Sequence, residues 1–255
     1  MSQQPTPYYA DDHVTIYHGD CEDVLPSLSA DLCVTSPPYN MGLTPGGGGR
    51  GMYQPSASRK GGRFRGGYDG GCDDAMPWAD YDAWQRQIID LILSRCRLGL
   101  FYNHRPRVIH GNLRLPLNGD YSGLPLRQII IWDRGTGIDV NLRHFCTAHE
   151  YVMLFAHPSM QLVDHAASGM SDVWRLGMAP KSDHPAPFPI SLAVRAISSV
   201  ADANVIIDPF AGSGTTLRAA KDLGRRAIGI EKSERYCEIA AERLAQEVFD
   251  FGGVA

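Results

Sequence analysis

Two short stretches, far apart along the chain, combine residue types that could do chemistry. The first is Thr35-Ser36-Pro37-Pro38-Tyr39-Asn40, where a hydroxyl, two prolines and an aromatic ring follow one another. Proline fixes its backbone torsion and has no N–H, so a carbonyl between two prolines is an acceptor with little freedom. Taken alone, the stretch reads equally well as a Pro-Pro turn after a strand. The second is Val205-Ile206-Ile207-Asp208-Pro209-Phe210-Ala211-Gly212-Ser213-Gly214-Thr215-Thr216, an apolar run ending in an acid and followed by a glycine-rich turn. Glycines let the backbone approach a ligand closely, and the Asp208 carboxylate suits a cationic partner such as the amino group of a methionine moiety. Glu231 follows 17 residues after Gly214. In nucleotide-binding βαβ units an acid near this offset binds the ribose hydroxyls.

Other ligands match the second stretch less well. A phosphate-binding loop needs Gly-Lys-Ser/Thr, whereas Gly214 is followed by Thr215. A dinucleotide site wants a third glycine near position 217, which is Leu217, and no acid beside the pyrophosphate, where Asp208 lies. A tight turn with no ligand stays open, although Asp208 and Glu231 on its flanks weigh against it. His144, Cys146 and His149 cluster in the sequence. They lack a fourth ligand and any known finger spacing, so no metal is expected.

The elements that position these stretches follow from periodicity. Short apolar runs at Val14–Tyr17, Asp31–Thr35, Gln128–Trp132, Glu150–Ala156, Asn204–Ile207 and Arg226–Ile230 predict strands, with a further strand at Leu98–Tyr102 or at 107–110. Helical spacing predicts helices over Pro77–Arg95, near Ile190–Val200, over Thr215–Leu223 and over 233–248, with a brief one around Val24 and Leu25. Alternating strands and helices predict an α/β fold, a doubly wound and mostly parallel sheet with helices on both faces. The 255 residues suit a single domain.

Residues 42–72 differ from the rest. They hold 12 glycines, and Arg50, Arg59, Lys60, Arg63 and Arg65 against one acid, Asp69. Such composition cannot bury enough apolar surface to offset its ordering entropy, so 42–74 reads as a long basic loop. It either contacts nucleic acid or is a solvated tether, and Gly62-Arg63-Phe64-Arg65-Gly66-Gly67 also resembles an RGG-type RNA-binding segment. The net charge of −4 argues against a uniformly basic coat protein without excluding local binding patches. No apolar run approaches the length of a membrane span. The six cysteines form no CxxC pair, and no secretory leader is apparent, so a reduced cytoplasmic setting is expected.

Taken together, the two stretches resemble the amino-group DNA methyltransferases of the permuted arrangement, in which a Ser/Asp-Pro-Pro-Tyr motif precedes the cofactor motif. The likeness runs through His18–Leu25, Ile129–Asp133, His149–Phe155, 184–192, Asp208–Thr216 and Gly229–Glu231, in the family's order. It implies a circularly permuted, Rossmann-like fold that binds S-adenosyl-L-methionine. Asp20, Asp208, Phe210, Gly212, Gly214, Thr215 and Glu231 would then serve the cofactor, with His184 and Phe188 as weaker candidates. It implies catalysis by Ser36, Pro37, Pro38 and Tyr39 on a flipped base. DNA contacts are expected from Arg50, Arg59, Lys60, Arg63 and Arg65. Residues 157–183 are the short candidate recognition segment, because larger relatives carry their reading domain there. Ser rather than Asp at the first motif position leans towards the 4-amino group of cytosine, with adenine N6 as the alternative. An RNA methyltransferase and a catalytically silent DNA-binding module are the alternatives from other classes. A homodimer and a cognate restriction endonuclease are candidate partners.

Overall fold

The computed structural model describes residues 5–40, 75–109, 111–116, 119–137, 144–177 and 188–246. In chain order they form β1 (Tyr9–Ala10), β2 (Val14–His18), α1 (Cys21–Val24), β3 (Ala30–Thr35), α2 (Trp78–Arg95), β4 (Cys96–His104), β5 (Arg107–Ile109), β6 (Asn112–Arg114), β7 (Leu126–Asp133), β8 (His149–Ala156), α3 (His165–Ser168), β9 (Val173–Arg175), α4 (Ile190–Ser198), β10 (Val205–Asp208), α5 (Thr215–Asp222), β11 (Arg226–Glu231) and α6 (Glu234–Ala245). Both stretches expected to hold a strand after Arg95 do so. The second pairs with β6 as a separate two-stranded sheet.

The main sheet has nine strands in the order β1-β2-β11-β10-β3-β4-β8-β7-β9. Pairing is parallel from β2 through β11, β10 and β3 to β4. β8 then runs antiparallel to both β4 and β7. Alternate residues of β3 serve opposite faces, as strand geometry requires. Leu32 and Val34 join the core under α4, α5 and α6, whereas Cys33 joins the core under α1 and α2. Ile88, Ile89 and Ile92 of α2 are almost wholly buried. Burying each contributes about 1.5–3 kcal/mol, and this docks the helix despite its mixed composition.

Local features set the register. Asp31 of β3 accepts hydrogen bonds from the N–H groups of Asn204 and Val205 at 2.9 Å, and pairs with Arg97 of β4 at 3.0 Å. One carboxylate thus ties three adjacent strands at their starts. Gly99 sits where the register of β3 against β4 shifts, with φ +149°. A Cβ there would lie 2.3 Å from the Phe155 carbonyl oxygen, so only glycine permits the bulge. Lys221 of α5 donates to Asp11, just before β2, at 2.6 Å and to the Leu244 carbonyl of α6 at 3.0 Å. It draws together the first and last described elements around β2 and β11.

Candidate active site

The chain leaves β10 through α5 to reach β11 on one side, while β3 leads through α2 to β4 on the other. The crevice between β10 and β3 is therefore a topological switch point, where open α/β sheets bind ligands beyond the carboxyl ends of their strands. Both chemical stretches end there. The Thr35 hydroxyl donates to Asp208 Oδ1 at 2.6 Å, across 173 positions of sequence. The Thr216 hydroxyl donates to the Val34 carbonyl at 3.1 Å. Trp84 of α2 meets Phe210 edge to face, centroids 5.8 Å apart.

Three acids lie at the ends of adjacent strands on this edge. Asp208 is buried, and its Oδ1 also accepts from the Phe210 N–H at 3.0 Å. Glu231 accepts from the N–H of Gly212 and of Ser233, both at 2.8 Å. Burial pushes both carboxyls above their ordinary range, against the pull of these hydrogen bonds. Neither forms an ion pair among the described residues. Asp20 differs. Burial would raise it, but Lys232 at 2.9 Å and the Glu22 N–H hold it below the usual range. One buried and one half-buried carboxylate, neither paired with a cation among the described residues, fit a ligand that carries positive charge.

The Pro-Pro turn carries a directed chain of hydrogen bonds. Asn103 donates through Nδ2 to the Tyr151 carbonyl at 3.0 Å, which turns its Oδ1 towards Tyr39. Tyr39 Oη lies 2.8 Å from Asn103 Oδ1 and 3.4 Å from Glu150 Oε2, both acceptors. It has one proton to give them, so at the 2.6 Å contact with Ser36 the serine hydroxyl is the donor. Ser36 Oγ thereby keeps its lone pairs for another donor. Glu150 is pushed up by burial, offset by Arg134, whose Nη1 lies 3.3 Å from Oε1, and by Arg105. Tyr39 is 3% exposed, and its ring packs on His104 with centroids 4.8 Å apart. Tyr81 Oη sits 2.6 Å from the Pro38 carbonyl and 2.8 Å from His104 Nε2.

The sequence-derived residues divide. Ser36, Pro37, Pro38, Tyr39, Asp208, Phe210 and Gly212 gather at the switch point, with Glu231 and Asp20 beyond on β11 and β2. Thr215 turns away, its hydroxyl accepting from Arg243 of α6 at 3.2 Å. Gly214 is glycine for packing and backbone reasons. It has φ +79°, and a Cβ would lie 3.2 Å from that of Ala240. Phe188 is buried in the core with α4. Arg50, Arg59, Lys60, Arg63, Arg65, the 42–74 loop and His184 lie outside the described residues. In the 157–183 segment, residues 157–177 include α3 and β9, and β9 joins the sheet. Asn103, His104, Tyr81, Arg134 and Glu150 were not foreseen. Glu150 left one signal, a carboxylate at the start of a mostly apolar run. Among the described residues no three His, Cys, Asp or Glu side chains converge as a metal would need, and no helix is long and apolar enough to cross a membrane.

Comparison with known proteins agrees with this geometry. Residues 30–242 match the N6/N4 methyltransferase family model, described as DNA methylase. The type II methyltransferase M.ScaI of Streptomyces caespitosus is 26% identical, over 94% of this chain and 84% of its own length. The type II methyltransferase M.HinfI of Haemophilus influenzae is 28% identical, over 91% and 68% respectively. Among solved structures, the cytosine-N4-specific PvuII DNA methyltransferase shares the fold with a TM-score of 0.73 at 17% identity, covering 95% of this chain and 90% of that one. Protein TTHA0409 of Thermus thermophilus, solved with S-adenosyl-L-methionine, matches with a TM-score of 0.60 at 25% identity, covering 92% and 95%. With both motifs joined at one switch point and the family model spanning most of the sequence, the chain belongs to the DNA methylase family.

Proposed function

We propose that this protein transfers a methyl group from S-adenosyl-L-methionine to the exocyclic amino group of a base in DNA, cytosine N4 before adenine N6. The observation that carries the reading is the 2.6 Å bond from Thr35 to Asp208, which brings an acid-lined ligand crevice and a set of amino-group acceptors to one edge. When bound, the cofactor supplies an electrophilic sulfonium methyl. Asp208 and Glu231 would hold its positive and ribose ends, with Asp20 near the adenine.

An exocyclic amino nitrogen is a poor nucleophile, because its lone pair is delocalised into the ring. Ser36 Oγ and the Pro37 carbonyl accept its two N–H groups and draw the nitrogen towards tetrahedral geometry, which localises the lone pair. Ser36 can do so because its own proton is committed to Tyr39. Direct transfer needs no covalent enzyme intermediate, and the nitrogen releases one of its two protons after the methyl has moved. Positioning the two reactants lowers the barrier by about 7–11 kcal/mol where the geometry is near attack. The base must leave the duplex, at a cost of a few kcal/mol. Stacking on Tyr39 would return about 1–3 kcal/mol; the ring is 3% exposed, so the incoming base would have to displace what covers it.

The same reading includes a cytoplasmic setting, a cognate restriction endonuclease, in keeping with the type II names of the relatives, and a homodimer that shares target recognition. Transfer of labelled methyl groups to unmodified DNA, followed by nucleoside analysis, tests activity and base together. N4-methylcytosine is the expected product. N6-methyladenine would reverse the order of the two bases, and no labelled nucleoside would overturn the reading. Ser36→Ala should fold normally, Tyr39→Ala should fold with lower stability because its ring is buried, and each should lose most turnover; full activity in both would remove these residues from the mechanism.

A further inference from the structure

We propose that Arg105, Arg107 and Arg114 form a seat for a backbone phosphate of the DNA strand whose base enters the site. The proposal rests on the DNA methylase reading and adds contacts outside the 42–74 loop. β4 ends at His104, behind the catalytic turn, and the chain continues through Arg105 into the β5–β6 hairpin. The hairpin carries Arg107 and Arg114 over the start of α2. There the Arg114 guanidinium lies 4.3 Å, and that of Arg107 5.7 Å, from the centroid of Trp78. Trp78, Tyr81, His104 and the three arginines line one recess with Asp82.

Among the described residues Asp82 is the one carboxylate lining this recess, and it is paired with Arg114. Arg107 donates to the carbonyls of Tyr39 and Asn40, which holds the recess against the catalytic turn. The Arg105 guanidinium makes no hydrogen bond or ion pair among the described residues, and its Nε–H is buried without a partner. A buried donor in that state calls for an acceptor. His104 adds no charge of its own. Burial, then the fields of Arg107, Arg105 and Arg114, hold its imidazole down to about 4, so it is neutral at ordinary pH.

The planar N–H edge of a guanidinium matches phosphate oxygens in bidentate fashion, and of these three arginines it is Arg105 whose edge is uncommitted among the described residues, with Arg107 and Arg114 beside it on Trp78. The Tyr81 hydroxyl bonds both the Pro38 carbonyl and His104, so the recess and the amino-acceptor turn share a wall. An anion seated there lies beside the pocket for the flipped base, where the sugar-phosphate chain of that base must pass.

The test measures binding of a fluorescent duplex across a salt series, with S-adenosylhomocysteine present, alongside calorimetric binding of S-adenosyl-L-methionine. Removing one arginine–phosphate pair lowers the slope of log K against log salt by about 0.9, or roughly eightfold in affinity at 0.1 M salt. Arg105→Met should show this decrease with cofactor binding intact, and Arg105→Lys should recover most of it. Arg114→Gln gives a second reading that does not depend on how Arg105→Met folds. Unchanged slopes in Arg105→Met and Arg114→Gln, with methyl transfer by the native protein intact, would overturn the phosphate seat alone. Absence of methyl transfer by the native protein would instead overturn the reading beneath it.

Discussion

At the scale of single residues, chemistry depends on which way protons point. Ser36 is an acceptor for an incoming amino group only while Tyr39 accepts its proton, and Tyr39 does so because Asn103 and Glu150 take its own. Tyr39→Phe keeps the ring and removes the relay. A neutral hydrogen bond is worth about 0.5–1.5 kcal/mol net, so kcat should fall roughly threefold to tenfold with KM for DNA nearly unchanged. Steady-state kinetics beside Tyr39→Ala, which should lose both, separates orientation from stacking. The acids behave differently. Burial raises Asp208 and Glu231, so they take up protons at a higher pH than free carboxylates. A group with a raised folded pKa favours folding below its ordinary range and loses that contribution as pH rises through the raised value. The charge that helps hold a cationic ligand therefore opposes folding. Asp208→Asn keeps an oxygen for Thr35 and Phe210, so it should melt no lower than the native protein at neutral pH. Its affinity for S-adenosyl-L-methionine should fall at least tenfold. Native affinity should decline as pH drops towards the raised values, and Glu231→Gln should flatten that decline; a pH-independent affinity in calorimetry would refute the assignment.

Elements explain both what was legible in the sequence and what was not. The long strands and helices carry periods that survive in one dimension, so β3, β7, β8, β10, β11 and α2 were found within a few residues of their ends. β1, β6 and β9 have two or three residues each, too few for a period to register. The site divides the same way. Ser36 and Asp208 are adjacent to turns with strong local chemistry, whereas Asn103 and His104 are polar residues ending an apolar strand, and only the pairing of β4 with β8 and α2 gives them partners. Gly99 had no signal either, since its need arises from the neighbouring backbone of β8. Gly99→Ala should cost more than about 2 kcal/mol, because it combines a disfavoured φ with a backbone clash. Urea unfolding measures this, and a loss below about 0.5 kcal/mol, the ordinary range of surface changes, would mean that the bulge relaxes easily.

For the whole molecule, order along the chain and order in space are separable. β2 pairs in parallel with β11 from Val14 opposite Ala227 to His18 opposite Glu231, although these strands come from opposite ends of the sequence. Lys221 holds Asp11 and the Leu244 carbonyl around one ammonium group, so the first and last described elements already meet. A linker joining residue 246 to residue 5, with new ends opened between 178 and 187, would put the cofactor turn ahead of the Pro-Pro turn. It would leave every strand pairing in the sheet unbroken. Its cost is the closure of one loop, and this grows slowly with length, about 0.6 kcal/mol for each doubling. The permutant should therefore bind S-adenosyl-L-methionine within about tenfold of the native protein and unfold in one cooperative transition. Calorimetry and thermal melting check both. A permutant that folds but no longer binds would mean that the 178–187 connection itself helps to shape the crevice, in addition to the Thr35–Asp208 bond.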